Sequence, residues 1–480
     1  MAPGGTGPDR RRAIAALAGA AFTGGAITWP LDGARQPPLA PVTGDPSLWT
    51  ADAEFTDAEF FGPVTAGGLL LVEEPLTARE RTRVLSCLDP VTGNRRWSVP
   101  LRPSLGELKK MLVAGSTMLV RTEETLLALD PRTGHTIWNR DRKTNESFST
   151  VLTGAGLVLD SGANRPEAER NPAYTTHAYE IGSGRLRWTT EVKPAVWAQS
   201  SSIHAAGLLV GAASAPDPRA LLGEDLLISY AMDAATGRQR WWRRLSEDEW
   251  ASKMTLAYAR GTVFVSLNGR DLVAQDAATG TIRWRSRFNA RANTGAERGG
   301  GPDRGGPDRD ARRPPVGADV PVPAGDTVYL CGADGVLRAF DLRDGRRRWE
   351  FTLGEGPSAR RDVPSSPRPI IANGLVYVTA VGTSVTSDET TIHVLDAADG
   401  RRRWSRPAYN SHGGPVMVRG SLFVPDGKSV VGYDPSDGTV RLRLDLEALN
   451  LHERSIELAT DGVRLFVLAR DQVLALSLAG

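Results

Sequence analysis

Asp89-Pro-Val-Thr-Gly93-Asn-Arg-Arg-Trp97 and Asp276-Ala-Ala-Thr-Gly280-Thr-Ile-Arg-Trp284 are two spellings of one phrase, and its recurrence along the 480 residues decides the fold. Each copy has an acid at the end of an apolar run, Gly four positions on, and Trp four beyond that. The phrase returns at Asp130, Gly134 and Trp138, at Asp233, Gly237 and Trp241, at Asp341, Gly345 and Trp349, and at Asp396, Gly400 and Trp404. Two copies drift: Glu180 precedes Gly184 and Trp188, and after Asp434 and Gly438 the Trp position holds Leu442. A last apolar run, Val473-Leu-Ala-Leu-Ser-Leu478, opens a ninth copy.

Each part of the phrase has a mechanical reason. A strand-ending Asp accepts hydrogen bonds from the backbone of the turn that follows, and Gly supplies the positive φ that closes a short hairpin. Trp then opens the next strand, where its ring fills the gap to a neighbouring sheet and its N–H finds a partner at the edge. One unit reads as four strands: Gly62-Pro-Val-Thr-Ala66, Leu69-Leu-Leu-Val72, Val84-Leu-Ser-Cys-Leu88 and Arg96-Trp97-Ser-Val99. Four-stranded units repeating every 40–50 residues or so specify an all-β fold, the β-propeller. The count gives nine blades. Because propellers typically have about four to eight, eight is the alternative, with a unit near Ser149 or Ile456 not forming a blade of its own. The last unit lacks its fourth strand, and Ser47-Leu-Trp49-Thr50 is an orphan of that type, so the ring should close by pairing its two ends.

The phrases ending in Trp138 and Trp284 resemble the repeats of pyrroloquinoline-quinone-like propellers, the superfamily that contains quinoprotein alcohol dehydrogenases. The resemblance runs from about Leu48 to the end of the chain. The same repeat serves redox enzymes, outer-membrane assembly lipoproteins and the extracellular halves of bacterial serine/threonine kinases, so it implies a fold more than a function. For an enzyme it implies adjacent cysteines, a Trp floor beneath the quinone, Ca²⁺ ligands and a general-base Asp. Here the two cysteines, Cys87 and Cys331, fall in different repeats, and no C-x-x-C-H haem motif occurs. The expectation is therefore a non-catalytic binding, scaffold or sensor propeller without a cofactor. The alternative is a quinone (PQQ)-dependent dehydrogenase with Ca²⁺ and atypical ligation.

Other chemistry is sparse. The six histidines are scattered singly, without metal-ligand spacing. His412, in Ser411-His412-Gly413-Gly414, precedes an inner strand and is the channel-facing candidate, set against the plainer reading of a loop histidine. A net charge of +2 argues against a nucleic-acid platform. The runs Arg346-Arg-Arg348 and Arg401-Arg-Arg403 open outer strands, and alternation along a strand makes them solvated edge protection. Residues 289–318, with a duplicated Gly-Gly-Pro-Asp-Arg, bury too little to offset their ordering entropy and read as a disordered insertion.

Residues 1–12 end in Arg10-Arg-Arg12, residues 13–31 form an uncharged Ala- and Gly-rich run, and 32–46 are a Pro-rich linker to the ring at 47–480. Basic residues ahead of an apolar run form an export signal, and the paired arginines resemble a twin-arginine leader. The run is also close to the roughly twenty residues that span a bilayer. The expected protein is a bacterial monomer, exported or tethered at the outer face of the cytoplasmic membrane. It would act on an envelope protein, peptide or glycan supplied in trans, since only eight residues precede the Asp9-Arg-Arg-Arg12 cluster and leave no room for a kinase.

Overall fold

The computed structural model describes residues 47–478 apart from 53–63, 67–68, 76–82, 102–107, 123, 142–144, 165–172, 195, 197, 217–224, 247–253, 289–319, 333, 354–367, 382–388, 410–413, 448–455 and 470–471. The segments 1–12, 13–31 and 32–46, the insertion at 289–318 and the channel candidate His412 lie outside the described residues. Among the described residues, thirty-six strands, β1 to β36 in chain order, form nine four-stranded antiparallel sheets. No helix among them is long and apolar enough to cross a membrane. The count of nine stands and the eight-blade alternative falls: the units near Ser149 and Ile456 each build a sheet.

Blades 1 to 8 are consecutive, at 64–101, 108–141, 145–191, 198–246, 254–287, 322–352, 370–409 and 416–445. Blade 9 takes three strands from the C-terminus, β34 (Glu457–Thr460), β35 (Arg464–Ala469) and β36 (Gln472–Ser477). Its fourth is β1 (Ser47–Asp52), which pairs with β36 from Trp49↔Ala475 to Asp52↔Gln472. The two ends of the chain thus close one sheet, and the ring carries no open end.

The core lies between the blades. Nine apolar clusters occur among the described residues, one at each joint between neighbours. The joint between blades 9 and 1, with Phe466 and Val473 against Leu70 and Val72, completes the circle. Middle strands are covered on both faces, so they are mostly apolar without alternation: all six residues of Thr262–Leu267 are buried, Thr262 and Ser266 among them. Within that strand Val263 and Val265 join the cluster shared with blade 4, whereas Phe264 joins the one shared with blade 6. Outer strands pack on one side only. In Thr136–Asp141 the single buried side chain is Trp138.

Candidate functional site

The acid of each phrase builds its own turn. The Asp89 carbonyl accepts from Gly93 N–H at 2.8 Å, and its Oδ1 accepts from the N–H groups of Val91 and Thr92 at 2.8 and 2.9 Å. Gly93 holds φ at +72°, and the glycines of the other seven copies lie between +64° and +73°. Oδ2 of the same Asp meets Arg96 at 2.5 Å, an ion pair that holds the Asp89 carboxyl at about 2. The pair recurs as Asp233–Arg240, Asp276–Arg283, Asp341–Arg348 and Asp396–Arg403, each at 2.6 Å, and as Asp434–Arg441. Glu180 has the longer reach and pairs with both Arg185 and Arg187, at 2.7 and 3.0 Å. In blade 2 the arginine position holds Ile137, which stands 44 % exposed with no charge to offer Asp130.

A β-bulge explains this arginine. In blade 5 Gln275 pairs with Ile282 but Ala274 with Trp284, so Arg283 is skipped and its side chain turns back over the hairpin. The same shift skips Arg348 and Arg403. The reading of the two arginine runs as solvated edge protection is therefore corrected at Arg348 and Arg403: it assumed strict alternation, and the bulge breaks alternation at the residue before Trp. Arg348 and Arg403 face carboxylates, and Arg348 bridges Asp326 as well as Asp341.

Each Trp then ties its blade to the next. Trp97 Nε1 donates to the Pro131 carbonyl at 2.9 Å, and the corresponding bonds run from Trp138 to Ile181, Trp241 to Ala277, Trp284 to Leu342, Trp349 to Ala397 and Trp404 to Pro435, at 2.8–3.1 Å. The Trp ring lies flat against the turn glycine of the following blade. A Cβ on Gly134 would stand 2.7 Å from Trp97, and one on Gly237 2.5 Å from Trp188. Gly184, Gly280, Gly345, Gly400 and Gly438 make the same approach to Trp138, Trp241, Trp284, Trp349 and Trp404. Only glycine satisfies both the positive φ and this contact. Trp188 is the exception in hydrogen bonding, its buried Nε1 having no partner.

The repeat is also broken one position past the joint Trp. Immediately after the joint position the outer strands carry Ser98, Asn139, Thr189, Arg285, Glu350, Ser405 and Arg443, but blade 4 carries Trp242, 43 % exposed. A shallow groove there is lined by residues 240–244 with Ala278 and Thr279 of blade 5. Arg243 spans it, its guanidinium donating to the carbonyls of Trp242 at 2.8 Å and Thr279 at 2.7 Å. Sequence reasoning missed Trp242, although comparing the copies one position past Trp would have singled it out.

A family described as outer membrane protein assembly factor BamB matches residues 39–213, 224–406 and 388–480. The chain belongs to this BamB-type propeller family. Among curated proteins it is similar to the serine/threonine-protein kinase AfsK of Streptomyces coelicolor, 27 % identical over 61 % of this chain and 34 % of AfsK. It is also similar to the tetrathionate hydrolase of Acidithiobacillus ferrooxidans, 22 % identical over 86 % of this chain and 72 % of the hydrolase. The chain thus spans about a third of the AfsK length it matches. Among solved structures the quinohemoprotein alcohol dehydrogenase of Comamonas testosteroni shares the fold, with a TM-score of 0.51, 16 % identity, and coverage of 90 % of this chain and 76 % of the enzyme. BamB of Moraxella catarrhalis aligns with a TM-score of 0.48 at 14 % identity, over 77 % of this chain and 96 % of that one.

The quinoprotein likeness raises the question whether this BamB-type ring has residues for a quinone and its Ca²⁺. No three His, Cys, Asp or Glu side chains among the described residues converge to hold a metal ion, and six of the recurrent Asp residues and Glu180 face arginines at their own turns. Neither Cys87 nor Cys331, buried in blades 1 and 6, is part of a disulfide. Burial pushes the Cys87 thiol up to about 11, against a smaller opposing effect of Arg96, which makes it a poor nucleophile at neutral pH.

Proposed function

We propose that this BamB-type propeller is a non-catalytic binding, scaffold or sensor module, exported and held or released at the outer face of the cytoplasmic membrane, where it recognises an envelope protein, peptide or glycan. The observation that carries the reading is the fate of the recurring side chains. Six of the strand-ending Asp residues and Glu180 are held by arginines at their own turns, and six of the seven joint Trp residues bond the next blade. Groups of the kind that carry chemistry in an active site hold the ring together instead, which leaves its surfaces for recognition. The family and the kinase relative support a module that works through a partner, and the basic residues ahead of the 13–31 run support export.

Cross-linking in intact cells followed by affinity capture tests this. The expected result is repeated recovery of the same envelope component with the ring. Repeated capture that yields none, together with dye reduction by the purified protein given the quinone, Ca²⁺ and an alcohol, would overturn it in favour of a dehydrogenase.

A further inference from the structure

The ring's own packing does not require Trp242, since the other outer strands hold a hydroxyl, amide or charged side chain at that position. In register Trp242 stands opposite Tyr230, on the face of blade 4 turned towards blade 3. Tyr230 is buried in the joint, whereas Trp242 is 43 % exposed. A large, partly exposed ring found at one copy of a repeat is where a partner's contact is to be sought.

Three features of the same edge say what would. The strand that bears Trp242, β17 (Gln239–Ser246), is last in its sheet, in the order β14 (Ala198–Ala205), β15 (Leu208–Pro216), β16 (Asp225–Asp233), β17. Among the described residues its outer side has no neighbouring strand, and a strand edge presents N–H and C=O groups at the spacing of a peptide. At eight residues it equals the outer strand of blade 7 and exceeds the six of the outer strands in blades 2, 3, 5, 6 and 8. Arg243 beside Trp242 donates to two carbonyl oxygens, and among the described residues its guanidinium faces no carboxylate. Arg240, by contrast, is already neutralised by Asp233.

The geometry points to the Trp242–Arg243 edge of blade 4 as a docking surface for an extended acidic peptide, which adds a strand to β17, lies over the Trp242 ring and places a carboxylate on Arg243. This rests on the binding-module reading and names the class of partner. A peptide is favoured over a glycan because the free strand edge matches peptide hydrogen bonding, residue for residue.

The probe is a phage-displayed library of random linear 12-mers, panned on the full chain. Enriched peptides should be acidic, and their affinity should fall with added salt. Trp242→Ser installs the residue that the ring carries as Ser98 and Ser405, so the fold is kept, as an unchanged melting temperature will show. It should weaken the selected peptides by about thirty-fold or more, the scale of a Trp hot spot. Arg243→Thr, with the residue that blade 3 has as Thr190, should weaken acidic peptides and spare their amidated Gln analogues. The proposal is overturned if no peptide is enriched, if enriched peptides bind Trp242→Ser as well as wild type, or if they are not acidic. It is equally overturned if Trp242→Ser abolishes binding to polygalacturonate or a concentration-dependent dimer instead, which would assign the edge to a glycan or a second copy. Envelope capture that survives Trp242→Ser would leave the binding module standing with its contact elsewhere on the ring.

Discussion

Gly280→Ala should cost far more than a turn glycine ordinarily does. Gly280 sits at φ +70°, where a side chain costs about 1–2 kcal/mol. A Cβ there would also stand 2.5 Å from Cε3 and 2.6 Å from Cδ2 of Trp241, so the indole must move. Moving it stretches the 3.0 Å bond from Trp241 Nε1 to the Ala277 carbonyl, worth about 0.5–1.5 kcal/mol, and overpacks a joint, which costs about 1–3 kcal/mol. The expected loss is about 4 kcal/mol. Gly374→Ala is the internal control, because Gly374 has almost the same φ, +73°, with nothing within 4 Å of the added Cβ. It should lose only the backbone part, about 1–2 kcal/mol. Urea denaturation of both variants, followed by tryptophan fluorescence and far-UV circular dichroism to check that one transition is being compared, gives the difference directly. Equal losses would mean that the glycine–indole contact carries no energy and that the joint is not what holds neighbouring blades together.

Three further outcomes follow from named residues. Ala206 occupies the first position of a tight inner turn at φ +50°, ahead of Gly207 at +75°, a pair of angles that favours Asn-Gly; Ala206→Asn should stabilise by about 0.5–1 kcal/mol, read as a higher denaturation midpoint. Burial, opposed by a backbone hydrogen bond at Leu353 and aided by Arg402, holds His393 below the usual imidazole range, and burial alone does the same for His204. Because both folded values lie below the ordinary value of about 6.5, the unfolded chain takes up these protons first. Stability from this source is complete above about pH 6.5 and declines as the pH falls below it. His393→Gln should flatten part of that decline in melting temperature measured from pH 7.5 to 5, and an unchanged slope would count against it. The Cys87 thiol, buried and raised to about 11, should resist a thiol reagent in the native ring and react fully in denaturant, whereas fast native labelling would place it at the surface.

Much of the fold was legible because its decisive steps are local. The Asp–Gly hairpin closes within five residues, and the Trp that follows it meets the very next copy of the phrase, so one repeat spells both the turn and the joint. The strand at Ser47–Asp52 was legible for a different reason: the last unit was one strand short, and an unpaired strand edge has to be filled. The arginine one residue before Trp escaped notice because its direction depends on a bulge, which a rule of alternation cannot see. Arg283 and Arg348 point at carboxylates only because the register slips beside them. Trp242 escaped for the opposite reason. It obeys no pattern, and it becomes visible only when the copies are laid side by side and the residue that packing does not demand is sought.

The central claim, a binding ring that works outside the cytoplasmic membrane, is tested most directly by protease accessibility on intact cells, comparing the native chain with Arg11→Lys/Arg12→Lys. The account predicts digestion of the propeller in the native case and its loss in the variant, the behaviour of twin-arginine export. Protection of both chains would contradict it, leaving a cytoplasmic ring whose partners would have to be sought inside the cell.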